Sequence, residues 1–280
     1  MKKQGFVWFV IVIASLIVLS ACASPTPTVE GCLGSSSKAI VDLKCQEVTI
    51  AVENAYLPFN YISLKTGEAG GWDYESWNEI CTRLHCKPVF VESAWDGMIE
   101  SVSNGQYAVG ADGVTRTAER EAQVDFSIGY VQIQQRLLVR KGETRFASIE
   151  DVVANPDLNL GTQVGTTNYE TAAKYLPEDR IKAFDTFPFA IQSLLSGDID
   201  AVIIDEIAGL GYQGTSADQL ELAGPSISSD ELGFIFPKGS KLVAPVNQAI
   251  QSMIDDGSLA KLNQKFFSAD FQVTYDDIKQ

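Results

Sequence analysis

Apolar residues along this chain fall into two rhythms. Val48–Val52 (VTIAV) reads as a buried strand. Shorter strand-like runs recur at Val89–Val91, Tyr107–Gly110, Arg136–Arg140, Leu158–Leu160, Ile181–Phe184, Ala201–Ile204 and Leu232–Phe236. Between them the spacing lengthens to three and four residues. Trp77, Ile80, Cys81 and Leu84 share one face of a helix predicted over Tyr74–Leu84, and Trp95, Met98, Ile99 and Val102 one face of a helix over Trp95–Val102. Further helices are predicted at Ser148–Val153, Asn168–Tyr175, Pro188–Leu195, Pro245–Ile254 and Leu259–Phe266. Pro58-Phe59 reads as a loop and Gly67–Gly71 as a hairpin-like turn. Strands alternating with helices predict an α/β fold with a mainly parallel sheet. The pattern occurs twice, which predicts two lobes with a ligand cleft between them.

The start of the chain follows a different rule. Lys2 and Lys3 precede an apolar run, Phe6–Leu19, which is shorter than the about 20 residues a membrane span needs. Leu19-Ser20-Ala21-Cys22 then resembles a lipobox, which implies cleavage before Cys22 and acylation of its thiol. Several acyl chains on one cysteine hold a protein on a membrane far better than one would. The expected organisation is a signal peptide (1–21), a lipidated tether (22–46), a first lobe (47–135 with 234–280) and a second lobe (136–233). Hinge crossings are expected near Gln134–Leu138 and Asp230–Gly233. The location is extracytoplasmic, at the periplasm or cell surface.

Removing residues 1–21 takes away Lys2 and Lys3 and no acid, so the net charge moves from −15 to −17. No basic stripe exists, which argues against nucleic acid as a partner. With Cys22 lipidated, Cys32, Cys45, Cys81 and Cys86 remain, and an even number outside the cytoplasm favours two disulfides in one of three connectivities. His85, the sole histidine, would complete only a poor metal set with these thiols, and a surface His is the preferred reading. No metal or cofactor is expected.

In open α/β sheets, ligands sit beyond the carboxyl ends of strands. Four such ends carry chemistry: Glu53 and Tyr56, Asp112 through Arg120, Gly165-Thr166-Thr167, and Asp205. Arg120 offers a planar fork for a carboxylate. Thr115 offers a hydroxyl and an N–H, while Thr117, three residues before Arg120, reads as a helix cap. Thr166 and Thr167 open a helix, where N–H groups suit an anion or a cap. Asp205 ends an apolar strand and so calls for a charged partner, an ammonium being the candidate. Tyr56 and Trp95 are candidate walls, with core packing the alternative for Trp95. Glu53 is expected at the far end of a ligand, and Asp112 as a second negative charge or a solvent-facing one.

These segments together resemble the bacterial extracellular solute-binding proteins of family 3. The resemblance runs over most of residues 47–270 and rests on Pro58-Phe59, Gly71-Trp72-Asp73, Asp112–Phe126, Gly165–Thr167, Ala201–Asp205 and Asp256–Phe266. It implies a type II periplasmic-binding-protein-like fold that closes around a free L-amino acid and delivers it to the permease subunits of an ABC importer. It implies that Arg120 and Thr115 hold the carboxylate, with Thr167 from the second lobe. Asp205 and the Gly113 carbonyl would hold the ammonium. It implies a Cys81–Cys86 bridge, with Cys32–Cys45 then pinning the N-terminal arm. Arg116 and Trp95 depart from the family's usual residues. Glu53, Asp112, Tyr56 and Trp95 favour arginine, lysine, ornithine or histidine, with glutamine open, and a monomer is expected. The alternative is a cyclohexadienyl-dehydratase-like enzyme with Glu170 as general acid. A binding protein rather than an enzyme is the preferred reading.

Overall fold

The computed structural model describes residues 31–214, 218–268, 271–273 and 275–279. The expected signal peptide and the Cys22 lipidation site lie outside them. In chain order the elements begin with β1 (Glu47–Val52), β2 (Ala55–Tyr56), β3 (Asn60–Ile62), β4 (Ala69–Gly70), α1 (Trp72–Leu84) and β5 (Lys87–Glu92). There follow α2 (Met98–Ser103), β6 (Val109–Gly110), α3 (Ala118–Gln123), β7 (Val124–Phe126) and β8 (Val131–Arg140). The middle holds α4 (Ile149–Ala154), β9 (Leu160–Gln163), α5 (Thr167–Tyr175), β10 (Ile181–Phe184), α6 (Phe187–Ser196) and β11 (Ala201–Asp205). The last are α7 (Glu206–Gln213), β12 (Leu220–Leu232), β13 (Ile235–Pro237), α8 (Val243–Asp255) and α9 (Ser258–Phe266).

Two five-stranded sheets result, ordered β5-β1-β6-β13-β7 and β10-β9-β11-β8-β12. In each, three parallel strands are followed by one antiparallel strand, β13 or β8, and the edge strand, β7 or β12, pairs antiparallel to that one. Parallel strands need helical crossovers, which is why the alternating pattern is strongest there. Strands β2, β3 and β4 form a separate small antiparallel sheet beside the first.

The chain passes between sheets twice. It leaves β7 at Phe126 and enters β8 at Val131, so the expected lobe boundary at 135/136 and the crossing at Gln134–Leu138 fall inside a strand. It returns from Leu232 to Ile235, so the single strand predicted over Leu232–Phe236 is interrupted at Gly233-Phe234. The two crossings bond to each other through Ser127 N–H to Phe234 O (2.9 Å) and Tyr130 N–H to Leu232 O (3.1 Å). Beneath them lies an aromatic core. Trp72 stacks on Tyr130 at 4.5 Å between ring centroids, and Tyr130 meets Phe234 at 4.6 Å.

Residues 31–46 do not behave as the expected tether. N–H groups of Leu33, Ile40, Leu43 and Cys45 donate to the carbonyls of Cys86, Arg83, Leu84 and His85. The end of a helix leaves such carbonyls unsatisfied, and the arm supplies the missing donors. Bridges Cys32–Cys45 and Cys81–Cys86 pin this junction. The Cys32 and Cys45 sulfurs lie close to His85 but are committed to their disulfide. His85 is not fully exposed, and its Nδ1 lies 2.8 Å from Asp42 Oδ1.

At the other end, the chain returns to the small sheet. Leu64 N–H bonds Asp277 O (2.8 Å), Lys279 N–H bonds Ile62 O (2.9 Å), and Tyr275 Oη donates to Pro188 O of α6 at 3.4 Å. This last segment therefore bonds both to the small sheet and to α6.

Candidate functional site

A narrow cleft with about 20 Å³ of free volume lies where strand ends of the two sheets face each other. Tyr56, Trp95, Asp112, Gly113, Thr115 and Arg120 line it from the first side, and Thr166, Thr167 and Asp205 from the second. Of the sequence candidates only Glu53 is absent from this lining. It lies beside the lining, where its Oε1 accepts from the cleft residue Gln163 through Nε2 at 2.7 Å. Gln163, Asn168 and Phe187 complete the cleft and were not anticipated.

Local rules place each group. Thr117 caps α3 by accepting from Arg120 N–H at 3.2 Å, which fixes Arg120 on the first turn. Arg120 Nη1 donates to Thr115 O (3.0 Å), and Nη2 reaches Gly165 O across the cleft (3.3 Å). Its guanidinium lies 5.2 Å from the Trp95 ring centroid. Thr115 is held by a bridge to Leu232, at the return crossing. Thr166 caps α5: its hydroxyl accepts from Tyr169 N–H (3.1 Å) and donates to Gln163 O (2.7 Å). That hydroxyl is thereby occupied. Thr167 Oγ1 lies 3.4 Å from Thr115 Oγ1 and accepts from Gln135 Nε2 (3.1 Å). Gly113 adopts φ +57°, and a Cβ there would lie 2.8 Å from Tyr56 Cε1, so glycine is required.

The charges in this cleft are unevenly matched. Arg120 is 6% exposed yet forms no ion pair among the described residues. Burial lowers its pKa, while Glu170, Asp205 and Glu119 oppose that shift from a distance. Asp205 Oδ2 accepts from Tyr56 Oη at 2.5 Å. Its Oδ1 meets no hydrogen-bond geometry with any described residue, although the Asn168 amide is close enough to favour the charged form. Burial pushes Asp205 up to about 6. Asp112 is 3% exposed, which removes the solvent-facing alternative. A buried cation and a buried acid at opposite sides of one cleft suit a zwitterion.

Arg116 lies outside the lining. It pairs with Glu121 (3.0 Å) and Glu231 (3.3 Å) and bonds Ser127 O, so it braces the crossings. Glu170 is exposed on α5, beyond the inner cleft.

Residues 48–269 match the pattern of the bacterial extracellular solute-binding proteins, family 3. The chain is 29% identical to the L-cystine-binding protein TcyA of Bacillus subtilis, over 96% of this chain and 99% of that protein. It is 27% identical to the arginine-binding extracellular protein ArtP of Bacillus subtilis, over 96% and 100%. Among solved structures it is similar to an ancestral amino acid-binding protein, a precursor of cyclohexadienyl dehydratase, with TM-score 0.73 and 30% identity over 79% of this chain and 96% of that one. The two-sheet architecture is accordingly the type II periplasmic-binding-protein fold. The chain belongs to the bacterial extracellular solute-binding proteins, family 3.

Proposed function

We propose that this chain is the extracytoplasmic binding component of an amino-acid ABC importer, capturing one free polar or cationic L-amino acid by hinge closure. The observation that carries the reading is Arg120, a buried guanidinium lining the cleft with no carboxylate partner among the described residues. A ligand α-carboxylate supplies that partner, with Thr115 and Thr167 beside it. Asp205 Oδ1 takes the ammonium. The paired crossings Ser127–Tyr130 and Gly233–Phe234 serve as the hinge between lobe one (47–126 with 235–280) and lobe two (131–232). Relatives named for L-cystine and arginine support an amino acid as the cargo class. The protein acts as a monomer, anchored through acylated Cys22, and performs no chemistry on its ligand.

Calorimetry across the twenty amino acids, ornithine and L-cystine tests the reading. Binding of at least one is expected, with affinity lost in Arg120→Ala and Asp205→Ala. No heat with any ligand, or unchanged affinity in both variants, refutes it. Mass spectrometry of membrane-derived protein should show acylation at Cys22, and an unmodified thiol there refutes the anchor.

A further inference from the structure

Asn60 lies on β3, wholly buried beneath the cleft. Its side chain ties three other segments together. Oδ1 accepts from Asn54 N–H at 2.6 Å, on the loop after β1. Nδ2 donates to Asp73 Oδ2 of α1 at 2.9 Å and to Asp112 Oδ1 at 2.6 Å. Asp112 faces the cleft, and Asp73 does not. Neither carboxyl pairs with a cation among the described residues, and Asp73 Oδ1, fully buried, has no hydrogen-bond partner there. The ammonium of an amino acid already has Asp205. A second buried carboxyl in the same cleft is left for a second positive charge.

We propose that Asp112, positioned by Asn60, senses the charge of the ligand's side chain: a cationic side chain displaces the proton that Asp112 holds, and a neutral one does not. The step is an exchange. The Asp112 O–H bond breaks, its proton goes to solvent, and the carboxylate pairs with the incoming cation. The inference rests on the amino-acid reading above.

The surroundings of Asp112 favour the protonated form before binding. Glu53 follows β1, Tyr56 lies on β2, Asp73 and Tyr74 on α1, Tyr130 at the first crossing and Tyr212 on α7. None of these supplies a positive charge. Only the Asn60 amide and the Glu53 N–H support the carboxylate, and burial outweighs them, pushing Asp112 up to about 7. Asp205, up to about 6, titrates for every amino acid alike and is therefore common to all ligands.

The test compares arginine with glutamine, measuring affinity by calorimetry between pH 6 and pH 8. Ionisation of Asp205 alone should raise glutamine affinity about twofold over that range, whereas arginine should gain about twentyfold because Asp112 must also ionise. Asp112→Asn should erase the difference between the two slopes. Asn60→Ser removes a donor to the carboxylate, so the arginine profile should shift to higher pH. Circular dichroism confirms that each variant folds. Equal slopes in the unaltered protein, a difference that survives in Asp112→Asn, or binding of glutamine without arginine overturns the inference and leaves the amino-acid reading standing. Failure of every amino acid to bind overturns that reading itself.

Discussion

Lowering the pH from 7.5 to 5.0 should raise the melting temperature of the ligand-free protein. Asp112 and Asp205 have folded-state pKa values of about 7 and about 6, against 3.8 for an ordinary aspartate, because burial disfavours their charge. A raised carboxyl contributes fully to stability below its unfolded value and loses that contribution as pH rises through the folded one. Moving from pH 7.5 to 5.0 therefore restores roughly 2 to 3 kcal/mol from Asp112 and roughly 1 kcal/mol from Asp205, at about 1.4 kcal/mol per unit. Glu53 and Asp73, also raised by burial, act in the same direction. The carboxyls held down to about 2, Asp42, Glu143 and Asp256, lose their contribution only at lower pH. About 4 kcal/mol corresponds to roughly 8 °C or more in a domain of this size. Calorimetric scans at both pH values measure it, and Asp112→Asn should shrink the shift by roughly 2 to 3 kcal/mol. A melting temperature that is flat or falls on acidification, or a full shift in Asp112→Asn, refutes the reasoning.

Arg120→Ala should weaken amino-acid binding about 100-fold or more, since truncating one partner of a buried charged pair costs 2–5 kcal/mol. Arg120→Lys should recover little, because an ammonium cannot reproduce the planar fork; titration calorimetry measures both. Phe234→Ala should lower stability by about 3–5 kcal/mol in denaturant unfolding, because the ring is fully buried among Trp72, Trp77 and Tyr130. Replacing Cys32 and Cys45 together by serine should remove about 3 kcal/mol, and hydrogen exchange should rise at the arm amides that cap α1.

Sequence reasoning reached the elements whose burial follows a local period. Ile181–Phe184 appears with the predicted bounds, and α1 begins two residues before its predicted start. Strand β12 was missed because its partner, not its pattern, makes it a strand. Gly224-Pro225 interrupts it, most of it is half-buried, and it pairs with β8 across a register shift between Ala223 and Ser228. Helix α7 hid behind Gly209, whose missing side chain lets it pack against Leu222 and Ile204. The predicted strand Leu158–Leu160 forms instead at Leu160–Gln163, because Asn159 N–H is tied to Asp200 Oδ2 at 2.8 Å. The serine-rich arm carries no sign of the helix end it satisfies.

Within the cleft the charged residues were legible, because an Asp at the end of an apolar strand or an Arg three residues past a capping Thr is an expensive placement. Gln163 and Phe187 carry no such mark. A neutral amide in a short strand and an aromatic at a helix start are ordinary core choices. The bonds from Gln163 to Glu53 and from Tyr212 to the Ala55 carbonyl, each spanning more than 100 residues of sequence, show that the two sides meet there.

The strap formed by Tyr275–Lys279 has a practical consequence for anyone building a reagent from this protein. It runs along the small sheet through Ile62 and Leu64, while Tyr275 reaches α6. A purification handle inserted next to this strap would pull on a segment bonded both to the small sheet and to α6. For the same reason, that position suits a fluorescent reporter meant to test the proposed hinge closure. Handles meant to be silent belong on the exposed face of α4, around Glu150 and Val153, away from the cleft and the crossings.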